Sequence, residues 1–332
     1  MNLFDNTLRD GGNVVGHGFS KELTASIIGG LLDCGIQDIE MGNCKGLGAY
    51  NLLGAVNAPS DEEYFEVLKP CQTKGRIGMF MLAKCAVEDN IKRAASAGLN
   101  FLRVGANAGD GAGSVKAVEM VKKSGLICRY SLMKAYVSTP EELADEAKML
   151  QNAGVDKITI MDSAGTMFPQ DASAYVKALK EKVAIPVGFH GHSNLGLSQA
   201  NALAAAEAGA DEIDCGLLGM ARSAGNCATE LAAATLKKTG HMENVDLYKL
   251  LDYLDNELIP AMSTYNYHAA VNPTDLMLGL CGCHSNYLGM FKKAAEEEKV
   301  PLLKLIADVS EIDRKNPTES LIREAAINMK LS

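Results

Sequence analysis

Short apolar runs alternate with amphipathic stretches at a steady interval along the first two thirds of the chain. Helical patterns such as Lys21–Cys34, Glu88–Ala97 and Glu141–Ala153 separate the runs, and each run has the length and composition of a buried strand. The predicted strands are Leu3–Asn6, Asp38–Met41, Arg76–Met81, Phe101–Val104, Leu126–Leu132, Lys157–Asp162, Pro186–His190 and Glu212–Cys215. Eight strand-helix units over residues 1–240 predict an α/β fold of the (β/α)8 TIM barrel type, which typically takes about 250 residues.

An open, doubly wound sheet is the main alternative to the barrel. That fold usually opens its first helix with a glycine-rich Gly-x-Gly-x-x-Gly turn. Here the first strand leads instead into Arg9-Asp10-Gly11-Gly12. The sequence therefore favours the closed barrel.

The strand pattern stops after Gly240, and helical patterns fill residues 241–332. They cover Asp246–Leu258, Thr274–Gly279, Ser285–Glu298, Leu302–Asp308 and Pro317–Met329. No low-complexity linker precedes them. We expect a helical C-terminal region that packs on the barrel.

Composition narrows the classes of function. The chain has 332 residues, 47% of them hydrophobic, and a formal net charge of −9 without a long basic run, which disfavours nucleic acid as a partner. No apolar stretch reaches the roughly 18 residues of a transmembrane helix, and polar residues interrupt the N-terminus where a signal peptide would be apolar. The nine scattered cysteines do not resemble a disulfide framework. We expect a cytoplasmic protein that does not bind membranes.

Polar residues recur where the predicted strands end or just beyond. In (β/α)8 barrels the carboxyl ends of the strands meet at one face, and catalytic groups lie there. The residues are Arg9, Asp10, Glu40, Arg103, Lys134, Asp162, His190 and His192. The pattern predicts a polar site on that face.

The pair His190 and His192 is the strongest local signal. Residues at i and i+2 of a strand point to the same side, so both imidazoles can bind one cation, with Gly191 between them. Asp10, from the first strand, would complete an O,N,N ligand set. Such a set suits Mn²⁺ or Mg²⁺, which we favour, and also Co²⁺ or Zn²⁺.

Several stretches of the chain together resemble a known family. Matching stretches are Thr7 to Gly11, Ile39-Glu40, Met161 to Gly165, His190 to Leu197, and Gly219 through Asn226. Together they resemble the DRE-TIM metallolyase superfamily, and within it the 4-hydroxy-2-oxo acid aldolases, over essentially the whole chain.

The resemblance implies a divalent metal on Asp10, His190 and His192, with Asn226 as a further ligand or just behind the ligands. It also implies that Arg9, held by Glu40, points at a 2-oxo acid. A metal that chelates the keto and carboxylate oxygens stabilises the enolate formed when a carbon-carbon bond is cleaved or made. We assign substrate binding to Arg9, Arg103, Lys134 and Asp162.

One position departs from the family. These aldolases have an acid-base histidine three residues after the metal-binding aspartate, and this chain has Asn13 there. Asparagine does not accept a proton near neutral pH. His17 lies four residues further along, and His284 stands where the family places a tyrosine over the site. We expect one of these two histidines to take over proton transfer.

Other functions stay open at this stage. The first is a Claisen-type synthase or lyase acting on an acyl-CoA, although such synthases more often continue the motif as Asp-Gly-Glu-Gln. The second is a barrel that has kept the metal and lost or altered its activity because of Asn13. A Schiff base on Lys134 is a minor alternative. Biotin-dependent carboxyl transfer is disfavoured because Met161 replaces that group's lysine.

Partners follow from the resemblance alone. Relatives of the aldolase type work with an acylating aldehyde dehydrogenase, and the C-terminal region is where such a partner would bind. We also expect a homo-oligomer.

Overall fold

A computed structural model describes residues 1–68, 70, 74–270, 272–283, 287–313 and 316–331. These residues contain eight parallel strands that pair in sequence order, and the last strand pairs with the first to close a barrel. The strands are β1 (Asn2–Asp5), β2 (Asp38–Met41), β3 (Arg76–Leu82), β4 (Phe101–Asn107), β5 (Ile127–Met133), β6 (Lys157–Asp162), β7 (Val187–Gly191) and β8 (Glu212–Cys215). The predicted (β/α)8 barrel is confirmed.

Helices follow the strands in the expected alternation. They are α1 (Thr7–Asp10), α2 (Lys21–Asp33), α3 (Ala49–Leu52), α4 (Asp61–Leu68), α5 (Glu88–Ser96), α6 (Val115–Lys123), α7 (Pro140–Asn152), α8 (Pro169–Lys182), α9 (Ser198–Glu207) and α10 (Thr229–Lys238). Strand β4 runs past its predicted end at Val104, because its pairing with β5 continues to Asn107 and Met133.

Local sequence explains where these helices begin and end. The Ser20 side chain accepts the Leu23 amide at the start of α2, and Thr139 and Glu142 form a capping box on α7. Gly35, just after α2, has φ +96°, a left-handed conformation that a residue with a Cβ rarely adopts. Such signals set the helix lengths between successive strands.

The barrel interior carries charged layers rather than a purely apolar core. Near the amino ends of the strands, Arg129 binds Asp38 at 2.6 Å and Glu212 at 2.9 Å. Phe4 packs between this group and the carboxyl ends, since the guanidinium carbons of Arg129 and Arg103 lie 4.4 and 4.8 Å from its ring centroid. Charges buried this way persist because they are paired.

The chain forms two compact units, Met1–Val245 and Asp246–Ser332. The second unit is helical, with α11 (Leu247–Tyr253), α12 (Ile259–Ser263), α13 (Pro273–Cys281), α14 (Leu288–Glu298), α15 (Leu302–Asp313) and α16 (Glu319–Leu331). The single helix predicted over Asp246–Leu258 is replaced by α11 and a π-helical turn, Leu254–Leu258. Each helix of the described ranges is too short or too polar to cross a bilayer.

Candidate active site

Four side chains converge at the carboxyl end of the barrel. Asp10 ends α1, the single turn that follows β1, and His190 lies in β7 with His192 just beyond it. Asn226 lies between β8 and α10 and forms an isolated antiparallel bridge with His192. All four residues are buried. The predicted meeting of residues far apart in sequence is thus present.

The donor atoms leave a space of ionic size between them. Oδ2 of Asp10 lies 3.7 Å from Nε2 of His190 and 3.7 Å from Nε2 of His192. These distances are too long for hydrogen bonds. Ligand atoms of the three residues all lie within 4.8 Å of one another. The side-chain amide of Asn226 donates to the same Asp10 oxygen at 3.0 Å.

Buried atoms without a hydrogen-bond partner indicate which kind of ion the space between the donor atoms can hold. Within the described part of the chain, Nε2 of His190 and Oδ1 of Asn226 are buried without a hydrogen-bond partner. Buried polar atoms rarely stay unsatisfied, and both of these atoms have a lone pair to donate. The residues therefore fit a divalent cation held by carboxylate, imidazole and amide groups.

Asp10 and His192 have the ionisation states that metal binding requires. Burial would raise the pKa of Asp10, but the charge of Arg9 and the two histidines outweigh it and hold that pKa well below its usual range. Burial, followed by the neighbouring His190, lowers the pKa of His192 to about 3 although Asp10 opposes this. Near neutral pH the aspartate is ionised and His192 is neutral, as metal binding requires.

Arg9 is fixed beside this cluster. Its Nε donates to Oε2 of Glu40 at 2.6 Å, and its Nη1 lies 3.0 Å from Oδ1 of Asp10. The ring centroid of Phe80 lies 5.1 Å from the guanidinium carbon. Nη2 has no hydrogen-bond partner among the described residues. Arg9 thus keeps one donor free next to the candidate metal ligands.

Two residues behind the ligands were missed by the sequence analysis. Oδ2 of Asp214 lies 3.2 Å from Nδ1 of His190, and Nδ2 of Asn6 lies 3.1 Å from the same atom. The signal for Asp214 was its alternation with Glu212 on the otherwise apolar strand β8, which sends both carboxylates into the barrel. Asn6, an uncharged residue just after β1, carried no comparable signal.

Two predicted substrate residues have their charged groups engaged elsewhere. Arg103 is fully buried in the barrel interior, bound to Asp214 and not open to the rim. Sequence shows that such a residue faces inward but not at which depth. The carboxylate of Asp162 accepts the amides of Thr166 and Met167 at 3.0 and 2.9 Å and so shapes its own loop.

The other candidates lie further out. Lys134 is exposed just after β5, and its backbone amide donates to Ser163 Oγ at 2.9 Å. Nδ1 of His17 accepts the amide of Asn57 at 3.2 Å, and no hydrogen bond to a described residue ties this imidazole to the metal cluster. His284 lies outside the described residues.

Asn13, where the resemblance leads us to expect an acid-base histidine, touches the cluster. Its side-chain amide lies 2.8 Å from the carbonyl oxygen of Asp10 and 3.3 Å from Oδ1 of that residue. With Arg9 on the same Oδ1, the contact leaves Oδ2 facing the histidines. Asn13 therefore positions a candidate ligand and has no basic group of its own.

Residues 1–256 match the family model described as HMGL-like. The chain belongs to the HMGL-like family. It is 32% identical over 329 residues to 4-hydroxy-2-oxovalerate aldolase of Carboxydothermus hydrogenoformans, covering 99% of this chain and 97% of that protein. It is 35% identical over 297 residues to the protein of the same name from Moorella thermoacetica, covering 90% and 87%. The prediction that the chain is an enzyme of the aldolase and lyase type is confirmed.

Solved structures support the fold. A putative aldolase domain from Bacteroides vulgatus superposes with a TM-score of 0.67 at 21% identity, covering 93% of this chain and 96% of that one. The carboxyl transferase domain of Rhizobium etli pyruvate carboxylase, solved as a Y628A variant with pyruvate, superposes with a TM-score of 0.70 at 16% identity. It covers 98% of this chain and 61% of that one. At identities this low, the similarity supports the barrel fold alone.

Proposed function

We propose that this HMGL-like protein is a divalent-metal-dependent aldolase that cleaves or forms a 4-hydroxy-2-oxo acid through a pyruvate-type enolate. The convergence of Asp10, His190 and His192 beside a fixed arginine is the observation that carries the proposal. The names of the curated relatives agree with it. Asp10, His190, His192 and Asn226 would hold the metal.

A divalent cation bound there would act as a Lewis acid on the keto and carboxylate oxygens of the 2-oxo acid. The donor set of one carboxylate, two imidazoles and one amide oxygen favours Mn²⁺ or Mg²⁺, and Co²⁺ or Zn²⁺ are the alternatives. Two arginines and three carboxylates, Arg9, Arg103, Asp10, Glu40 and Asp214, give the surrounding cluster an excess of one negative charge. That excess favours a bound cation.

Arg9 is the residue that acts on the substrate's developing charge. Nη2 is its free donor, while Glu40 and Asp10 prevent the guanidinium from turning away. A donor held in advance where negative charge develops stabilises the enolate without a reorganisation cost.

Proton transfer needs a group other than Asn13. We propose His284 as that group, with His17 as the second candidate. Lys134, exposed at the rim, is proposed to contact the part of the substrate remote from the metal. Asp162 and Arg103 would assist binding only through the loop and the charges that they hold in place.

Partners are proposed on the resemblance. They are a small 2-oxo acid as substrate, an aldehyde dehydrogenase that binds through the C-terminal region, and further copies of this chain in a homo-oligomer. If mixing with such a dehydrogenase leaves the elution volume of this protein in size-exclusion chromatography unchanged, the proposed partnership with the dehydrogenase is contradicted.

The test is proton exchange at the methyl group of pyruvate in D₂O, followed by NMR. We expect exchange with Mn²⁺ or Mg²⁺, none after chelation, and none for Asp10→Asn with the same metal. Metal salt without protein is the control. Exchange that survives chelation, or protein that holds metal and exchanges nothing, would refute the proposal and direct the search to acyl-CoA substrates.

A further inference from the structure

The back of the metal-site imidazole is held inside the barrel. Nδ1 of His190 faces Oδ2 of Asp214 at 3.2 Å, and both residues are fully buried or nearly so. Nδ2 of Asn6 approaches the same nitrogen at 3.1 Å. A neutral imidazole carries one proton, so the choice between these neighbours decides which nitrogen is left to bind a cation.

The carboxylate determines that choice. An ionised Asp214 only accepts hydrogen bonds, and an unprotonated Nδ1 would place its lone pair against Oδ2 of that carboxylate at 3.2 Å. The proton therefore belongs on Nδ1, where it satisfies the buried carboxylate. Nε2 is then a bare lone pair, which agrees with its having no partner among the described residues. The Asn6 amide then turns to present its oxygen to that proton, which exchanges its present contact with the Asn226 amide at 3.2 Å.

Asp214 is itself fixed by a cation. Arg103 donates from Nη2 to the same Oδ2, while its Nε donates to Ser131 Oγ at 2.5 Å. The Nε atom also lies 3.7 Å from Oε1 of Glu40, the residue that holds Arg9. A continuous chain of buried charges therefore joins the back of His190 to the back of Arg9.

We propose that Asp214 is a positioning residue of the metal centre, which fixes the tautomer and the direction of His190. Arg103 fixes Asp214 in turn and couples it through Glu40 to Arg9. The proposal rests on the proposed function, since it concerns the same metal. Arg103 is fully buried, so it can position Asp214 but cannot contact the substrate directly.

The test compares two neutralising changes on one strand. Asp214→Asn removes the charge behind His190. Glu212→Gln, two residues away and also fully buried, removes a charge that pairs with Arg129 and Lys157 at the other end of the barrel. The affinity for Mn²⁺ is measured by calorimetry, and the visible spectrum of bound Co²⁺ reports ligand geometry.

Loss of such a hydrogen-bond partner typically weakens metal affinity about 10-fold to 100-fold. We expect that loss and an altered Co²⁺ spectrum for Asp214→Asn, and neither for Glu212→Gln. Equal affinity in wild type and Asp214→Asn, or an equal loss in both variants, would overturn the proposal. A wild-type protein that binds no metal would instead overturn the proposed function on which it rests.

Asp214→Asn removes one of the carboxylates that balance the buried positive charge of Arg103. The folding of this variant is therefore checked by circular dichroism. If that variant does not fold, Arg103→Met combined with Asp214→Asn removes both charges together. The double variant is expected to show the same loss of Mn²⁺ affinity. Unchanged affinity in the folded double variant would contradict the role of Asp214 equally well.

Discussion

A buried carboxyl next to the active-site loop makes the stability of the barrel depend on pH. Glu230, in the first turn of α10, is only 3% exposed. Its Oε2 accepts the amide of Leu218 at 3.1 Å, and Leu218 holds a left-handed φ of +57° in the segment that leads to Asn226. Burial, opposed by backbone hydrogen bonds, raises the pKa of Glu230 from 4.5 to about 7.

The sign follows from proton linkage. The folded protein keeps the Glu230 proton up to a higher pH than the unfolded chain does, so folding is penalised once the unfolded carboxyl ionises. The penalty is absent below about pH 4 and grows until about pH 7. A shift of this size corresponds to about 3 kcal/mol in the free energy of unfolding, at 1.36 kcal/mol for each pKa unit.

Glu230→Gln keeps an oxygen for the Leu218 amide and removes the ionisation. Relative to wild type, its free energy of unfolding is therefore expected to rise by about 3 kcal/mol from about pH 4 to about pH 8. Urea unfolding of both proteins across this range measures the difference. Asp5, whose pKa burial raises to about 6, is present in both proteins and largely cancels.

Glu181→Gln is the matched control, because this glutamate is exposed on α8. Its difference from wild type is expected to stay constant with pH. A Glu230→Gln difference that is equally flat, or that falls as pH rises, would refute the reasoning from burial.

Three further predictions concern the active site. Gly165→Ala places a Cβ 2.6 Å from the carbonyl oxygen of His192 at φ +59°, so urea unfolding should show a loss above about 1 kcal/mol; an equally stable variant would contradict this. Arg9→Lys keeps the charge but loses the Nε donor that binds Glu40 and the free Nη2, so pyruvate exchange should fall about 100-fold with Mn²⁺ affinity nearly unchanged, and normal exchange would remove Arg9 from the mechanism. Asn13→His restores an imidazole next to Asp10, so exchange should rise above about pH 6.5; no change would show that another base already suffices.

Periodicity made the barrel predictable. All eight strands lie within a few residues of their predicted positions, because buried parallel strands are nearly continuous apolar runs. The extension of β4 through Gly105 to Asn107 was not visible, since pairing with β5 and not local composition decides it. The π-helical turn at Leu254–Leu258 likewise has no signature in the helical pattern.

The first layer of the site was predictable and the layer behind it was not. Asp10, His190 and His192 stand out as polar residues at strand ends, and the structure brings them together. Strand periodicity also marks Arg103 as inward-facing, but depth in a barrel depends on strand tilt and register, which a single sequence does not reveal. Interior residues and rim residues therefore look alike until the strands are paired.

Closure of the barrel determines when this site comes into existence during synthesis. Asp10 emerges from the ribosome early, whereas His190, His192 and Asn226 follow after about 180 to 216 further residues. At roughly 5 to 20 residues per second, the aspartate waits on the order of ten seconds or more for its partners. Throughout that time β1 lacks the neighbour, β8, that completes its hydrogen bonding. A nascent chain therefore lacks the assembled candidate metal site until β8 has paired with β1 and closed the barrel.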